Sequence, residues 1–115
     1  MVQILHNPRC SKSRETLQLL EEKGLTPDIQ LYLEKPPTKK ALKEIISMLG
    51  MESARDLMRK KEAEYKENDL ANPQRTEKEL LDALVQFPRL IERPIVINGN
   101  KAAIGRPPES VLEIL

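Results

Sequence analysis

The residue whose type and setting most invite chemistry is Cys10, the only cysteine in a chain of 115 residues. It stands in Asn7-Pro8-Arg9-Cys10-Ser11-Lys12-Ser13-Arg14, a polar and basic stretch with nothing of a core strand or helix face in it. Pro8 must end any strand before it, and Ser11 and Ser13 are good helix caps. Cys10 is therefore expected at or just before a helix N-terminus, where unpaired backbone N–H groups and the positive end of the helix dipole favour a thiolate. A lone cysteine in an arbitrary chain is more often a small buried hydrophobe. Here Arg9, Lys12 and Arg14 make the surroundings electropositive, as a reactive thiol requires. Ser13 occupies the position where a Cys-x-x-Cys motif would carry its second sulfur, so no internal disulfide can form there. Whatever forms on Cys10 must be removed by an outside thiol. A phosphatase loop of the Cys-x5-Arg kind also fails, because position 16 is Thr and Arg14 is only four residues on.

Arginines are the natural companions of such a thiol. Arg93-Pro94 and Gly105-Arg106-Pro107 each place a guanidinium where the chain turns. Read plainly they are surface charges; read functionally, two planar forks grip a tetrahedral oxyanion bidentately, which suits Arg better than Lys. Arg59 lies in Arg-Asp-Leu-Met-Arg-Lys-Lys-Glu, by itself a solvated helix face. His6 ends the first strand and reads as a structural imidazole before a catalytic base. One Cys and one His cannot close a metal site, so no metal is expected.

Elements must hold these residues in place. Val2 to His6 reads as a short strand stopped by Asn7-Pro8, and Leu17, Leu19 and Leu20 give the next segment an apolar stripe that ends at Gly24. Ile29 to Leu33 alternates as a second strand, and the β-α-β spacing favours a parallel pair. Pro36-Pro37-Thr38 reads as the entrance to a helix whose Leu42, Ile45, Ile46 and Leu49 fall on one face before Gly50. Residues 53–72 are mostly polar, with Leu57, Met58 and Tyr65 as anchors, and are expected to be helical. Thr76 and Glu79 make a capping box ahead of Leu80, Leu81, Leu84 and Val85. Pro94 to Ile104 reads as a hairpin about Asn98-Gly99, and residues 107–115 as a closing helix. The order β-α-β, helical block, β-β-α predicts an α/β fold. Its form is a small mixed sheet flanked by helices in the thioredoxin-like (glutaredoxin-type) arrangement, with a helical insertion between the two halves and residues 1–115 as one domain.

Composition sets the outer bounds. Lys plus Arg is 19 and Asp plus Glu is 18, leaving +1, which argues against a broad surface for nucleic acid. The longest apolar runs are three residues, such as Ile95 to Ile97, far short of the roughly 18 needed to cross a bilayer. With neither a leader nor a disulfide framework visible, a cytoplasmic address is expected.

Taken together, His6-Asn7-Pro8-Arg9-Cys10 with Ser13-Arg14, Tyr32-Leu33-Glu34 with Pro36-Pro37-Thr38, Leu57-Met58-Arg59-Lys60, Glu92-Arg93-Pro94-Ile95-Val96 and Gly105-Arg106-Pro107 resemble the glutaredoxin-coupled arsenate reductases nearly end to end. The resemblance implies Cys10 as nucleophile and Arg59, Arg93 and Arg106 as oxyanion ligands. His6, Ser13 and Pro94 would support them, with Pro94 a cis-proline facing the cysteine. It also implies arsenate as substrate, glutathione as reducing co-substrate, glutaredoxin as protein partner, and no bound cofactor. Where members of that family carry a small residue and Gly-Thr around the cysteine, this chain has Arg9 and Ser11-Lys12, and it ends sooner, as a shorter branch would. The added positive charge favours an anion and bears on substrate choice. A rival of another class is the Spx-type regulator, a non-enzymatic protein of similar fold that binds RNA polymerase. It usually carries the Cys-x-x-Cys switch that Ser13 removes here.

Overall fold

The computed structural model describes residues 2–115. The chain forms two compact units, one from Met1–Lys35 with Arg93–Leu115, the other from Pro36–Glu92.

The first unit contains β1 (Val2–Leu5), α1 (Ser11–Glu22), β2 (Asp28–Gln30), β3 (Ile95–Asn98), β4 (Lys101–Ile104) and a closing 3₁₀ segment, Pro108–Ile114. The sheet order is β2-β1-β3-β4. β1 runs parallel to β2 and antiparallel to β3, and β3 pairs antiparallel with β4. This is the mixed sheet of the thioredoxin-like arrangement expected from the element order. Its register aligns Ile4 with Val96 and Val96 with Ala103 across neighbouring strands, so these side chains share one face. Leu20 of α1 and Val111 of the closing segment cover that face. Ile4, Leu20, Val96 and Val111 are completely buried, with Val2, Leu17, Leu19, Leu25, Ala103 and Ile114 packed around them. Each such side chain contributes about 1.5–3 kcal/mol by leaving water.

Local details depart from the sequence pattern. β2, an edge strand, covers only Asp28–Gln30, and Ile29, Leu31 and Leu33 are exposed; the rest of the alternating run lies in a turn in which Leu31 O accepts the Glu34 and Lys35 N–H groups. The hairpin turn sits one residue later than Asn98-Gly99, because Asn98 pairs with Lys101 and the loop is Gly99-Asn100. Gly99 has φ +64°, which the first loop position of a type II′ turn demands and glycine supplies without strain. The closing segment is 3₁₀, not a regular α-helix.

The second unit is the insertion between the two halves. α2 (Lys39–Met48) is capped by the Thr38 hydroxyl, which accepts from the Ala41 N–H at 3.1 Å. α4 (Glu77–Gln86) starts in the expected Thr76–Glu79 capping box. These two helices pack on each other and bury Leu42, Ile45, Leu80 and Leu84. The stretch between them is less helical than expected: a 3₁₀ turn at Ala54–Leu57, the short α3 (Ala63–Glu67), and irregular chain. Arginine side chains bond the carbonyls that a helix would have satisfied. Arg55 donates to Leu70 O at 2.9 Å and Asn72 O at 2.8 Å, and Arg75 donates to Asn68 O at 2.8 Å. Among the described residues, no helix is long and apolar enough to cross a membrane.

Candidate active site around Cys10

Cys10 is itself the N-cap of α1, with extended backbone angles (φ −94°, ψ 123°) and no capping bond from its side chain. Its carbonyl accepts the Arg14 N–H at 3.0 Å, the first bond of the helix. Cys10, half-buried, therefore stands at the N-terminal end of α1, where the helix dipole favours negative charge.

The loop that delivers Cys10 is tied down by its neighbours. The Cys10 N–H donates to Asn7 O at 3.0 Å, and the Arg9 N–H donates to Asn7 Oδ1 at 3.0 Å. The Asn7 N–H donates to Ser13 Oγ at 3.0 Å, and Ser13 Oγ is also 2.7 Å from His6 Nδ1. Arg14 Nη1 donates to Pro8 O at 2.9 Å. The two serines thus act otherwise than their types suggested. Ser11 caps nothing, and Ser13 is completely buried as the knot between β1 and the loop. His6 is buried as well, and burial, followed by the charge of Arg14, holds its pKa below the usual histidine value.

Arg106 is brought to the thiol. Its Nη2 lies 3.6 Å from Cys10 Sγ, and its Nε donates to the Arg93 carbonyl at 2.8 Å. Arg93 is thereby linked to the same corner, and its own Nε and Nη1 are buried without a hydrogen-bond partner. Buried guanidinium N–H groups without acceptors are uncommon and costly; an anion between them would satisfy both charge and donors. The Arg93–Pro94 peptide is cis, as the resemblance implied, and the Arg106–Pro107 peptide is cis too.

Arg59 belongs to the second unit. It lies just past the 3₁₀ turn, not on a helix face, and its N–H donates to Leu90 O at 2.7 Å beside the Met58–Ile91 bridge. Its Nη1 pairs with Glu62 Oε1 at 2.6 Å, and the other Glu62 oxygen pairs with Arg89 at 3.1 Å.

Three residues of this site carried no signal of their own. Asn7 looked like a strand stop, yet its two oxygens fix the Cys10 loop. Thr16 entered only as a missing arginine, yet it is fully buried with its hydroxyl bonded to Lys12 O at 2.8 Å. Gly105 was one letter of a motif, and a Cβ there would collide with Thr16 and Pro94. A threonine or glycine reveals such a contact only when α1 and the chain just past β4 are placed together. Among the described residues, no group of three or more His, Cys, Asp or Glu side chains could hold a metal ion.

The ArsC family model matches residues 5–114. The chain is 56% identical over 114 residues to the uncharacterized protein YfgD of Escherichia coli (strain K12), covering 99% of this chain and 96% of that one. It is 54% identical over 112 residues to the arsenate reductase of Haemophilus influenzae, covering 97% of both chains. The solved structure of the arsenate reductase from Vibrio cholerae superposes with a TM-score of 0.96 at 50% identity, covering 99% of this chain and 97% of that one. With a thioredoxin-like sheet, a cysteine at the first helix start and an arginine against its sulfur, the chain belongs to the ArsC family.

Proposed function

We propose that this protein reduces arsenate to arsenite, with residues 1–115 serving as one reductase domain, Cys10 as nucleophile, and Arg93 and Arg106 as ligands of the oxyanion. The observation that carries the reading is the Arg106 guanidinium 3.6 Å from Cys10 Sγ while its Nε is held on the Arg93 carbonyl. The family's arsenate reductases supply the substrate class. Arg59 enters as a third ligand on the resemblance of its motif alone.

The chemistry follows from one thiol and fixed positive charge. The Cys10 thiolate attacks arsenic(V), forming a Cys–S–As bond as one oxygen leaves as water. The arginines and the first-turn N–H groups stabilise the crowded anionic intermediate. Since Cys10 is the only cysteine, the reducing electrons come from outside. Glutathione displaces a second oxygen as water and leaves both sulfurs on arsenic. A glutaredoxin thiolate then attacks the glutathione sulfur, the As–S electron pair stays on arsenic, and the products are arsenic(III) and a mixed disulfide. Water releases arsenite and returns Cys10 to the thiol. His6, Ser13 and Pro94 support the cysteine and its loop, no bound cofactor takes part, and the reducing cytoplasm is the compartment that such a cycle suits.

Intact-mass spectrometry tests the covalent step. Protein given arsenate and glutathione without glutaredoxin is expected to gain an adduct on Cys10 that added glutaredoxin clears and that Cys10→Ser never forms. An adduct of equal yield on Cys10→Ser would refute the assignment of the nucleophile.

A further inference from the structure

Gly105 links β4 to Arg106 and is buried. Its backbone is not in the left-handed region, which among the described glycines is confined to Gly24, Gly50 and Gly99, so conformational freedom does not explain a glycine here. Space does. A Cβ at position 105 would overlap the Thr16 hydroxyl, lie 2.8 Å from Pro94 Cγ and lie 3.1 Å from Thr16 Cγ2. None of these neighbours can yield easily. Thr16 is fully buried, with its hydroxyl held on Lys12 O at 2.8 Å. The Pro94 ring is rigid, and Pro94 O accepts the Gly105 N–H at 2.9 Å. An added methyl group is therefore relieved by moving the chain at 104–106. The next side chain along is Arg106, whose bonds to the Arg93 carbonyl and contact with Cys10 Sγ depend on where that chain lies.

We propose that Gly105 is a positioning residue for Arg106: by lacking a side chain, it lets the strand sink onto Thr16 and Pro94 and so sets the guanidinium against the Cys10 sulfur. The inference rests on the reading of Arg106 as an oxyanion ligand. A glycine that only packs would change stability; this one also changes every step that uses Arg106.

The test is a double-mutant cycle on the full chain, with arsenate kinetics and the rate of Cys10 alkylation by iodoacetamide at fixed pH as readouts, and thermal midpoints to record folding. Gly105→Ala is expected to lower kcat/KM by about tenfold to a hundredfold, the scale of displacing a catalytic group by about an ångström. In an Arg106→Ala background it is expected to add less than about twofold, since coupled residues do not add. Gly105→Ala is also expected to move the alkylation rate in the direction that Arg106→Ala moves it. Thr16→Ala removes both Thr16 atoms from the collision and is expected to restore part of the loss. If Gly105→Ala does not fold, the same cycle run in the Thr16→Ala background decides, because the Pro94 collision remains there. Wild-type kinetics in Gly105→Ala beside a defective Arg106→Ala would overturn this inference alone, as would an equal loss with and without Arg106. Wild-type kinetics in Arg106→Ala would overturn the oxyanion reading itself, and this inference with it.

Discussion

Replacing Arg106 by lysine keeps the charge and removes the fork. In the structure Arg106 uses two different nitrogens: Nε on the Arg93 carbonyl at 2.8 Å and Nη2 at 3.6 Å from Cys10 Sγ. A single lysine ammonium on a flexible stem cannot hold both. Because Arg106 is exposed, its loss changes folding by under about 1 kcal/mol. Its loss from the reaction is larger, since a hydrogen bond to a charged group is worth about 1.5–3 kcal/mol. At about 1.4 kcal/mol for each factor of ten, Arg106→Lys is expected to lower kcat/KM for arsenate by roughly tenfold to a hundredfold while leaving the thermal midpoint nearly unchanged. Steady-state arsenate kinetics with glutathione, glutaredoxin and glutathione reductase supplied in excess measures it. If Arg106→Lys turns over arsenate as the wild type does, the planar fork is irrelevant, and the geometry of Arg106, Arg93 and Cys10 has been misread.

Arg93→Lys is expected to fall by a similar tenfold to hundredfold in kcat/KM, because a point charge cannot present the two buried donors at Nε and Nη1; unchanged kinetics would make those N–H groups incidental. For His6 the folded pKa lies below the usual 6.5, so between those two values the unfolded chain binds more protons and stability rises with pH. Thermal midpoints are therefore expected to fall on acidification below about 6.5, with a shallower slope in His6→Gln; equal slopes would contradict the assignment. Leu20→Ala, at a completely buried position between the sheet and the closing segment, is expected to cost about 2–5 kcal/mol in urea unfolding. A loss below about 0.5 kcal/mol, the range of surface substitutions, would mean that the core has been misplaced.

What could be read from the sequence was what neighbours in the chain decide. The helix entrance at Pro36-Pro37-Thr38, the Thr76–Glu79 box and the placing of Cys10 at the start of α1 are each set within a few residues, and all are found where their patterns stood. The order of strands and helices likewise gave the mixed sheet. The misplacements have non-local causes. Ile29, Leu31 and Leu33 alternate like a buried strand, but β2 ends at Gln30, Leu31 and Leu33 lie in the turn beyond it, and the buried side chain of that turn is Tyr32. The hairpin loop is chosen by the pairing of Asn98 with Lys101, which shifts it by one residue. Residues 53–72 hold a 3₁₀ turn and a short helix, and the Asn68, Leu70 and Asn72 carbonyls there accept from the side chains of Arg75 and Arg55, 7, 15 and 17 residues away. The thiol and Arg106 are 96 residues apart, and only the sheet joins them; their motifs suggested the pair, but the roles of Thr16 and Gly105 in seating it depend on a close approach that no local pattern records.

In the proposed cycle one cysteine, served by external thiols, reduces arsenate. Oxidation of NADPH in a mixture of this protein, arsenate, glutathione, glutaredoxin and glutathione reductase measures it directly. Oxidation is expected to require arsenate, to stop when glutathione or glutaredoxin is left out, and to be absent with Cys10→Ser. Repeated reduction of arsenate without any added thiol, or undiminished turnover by Cys10→Ser, would contradict it.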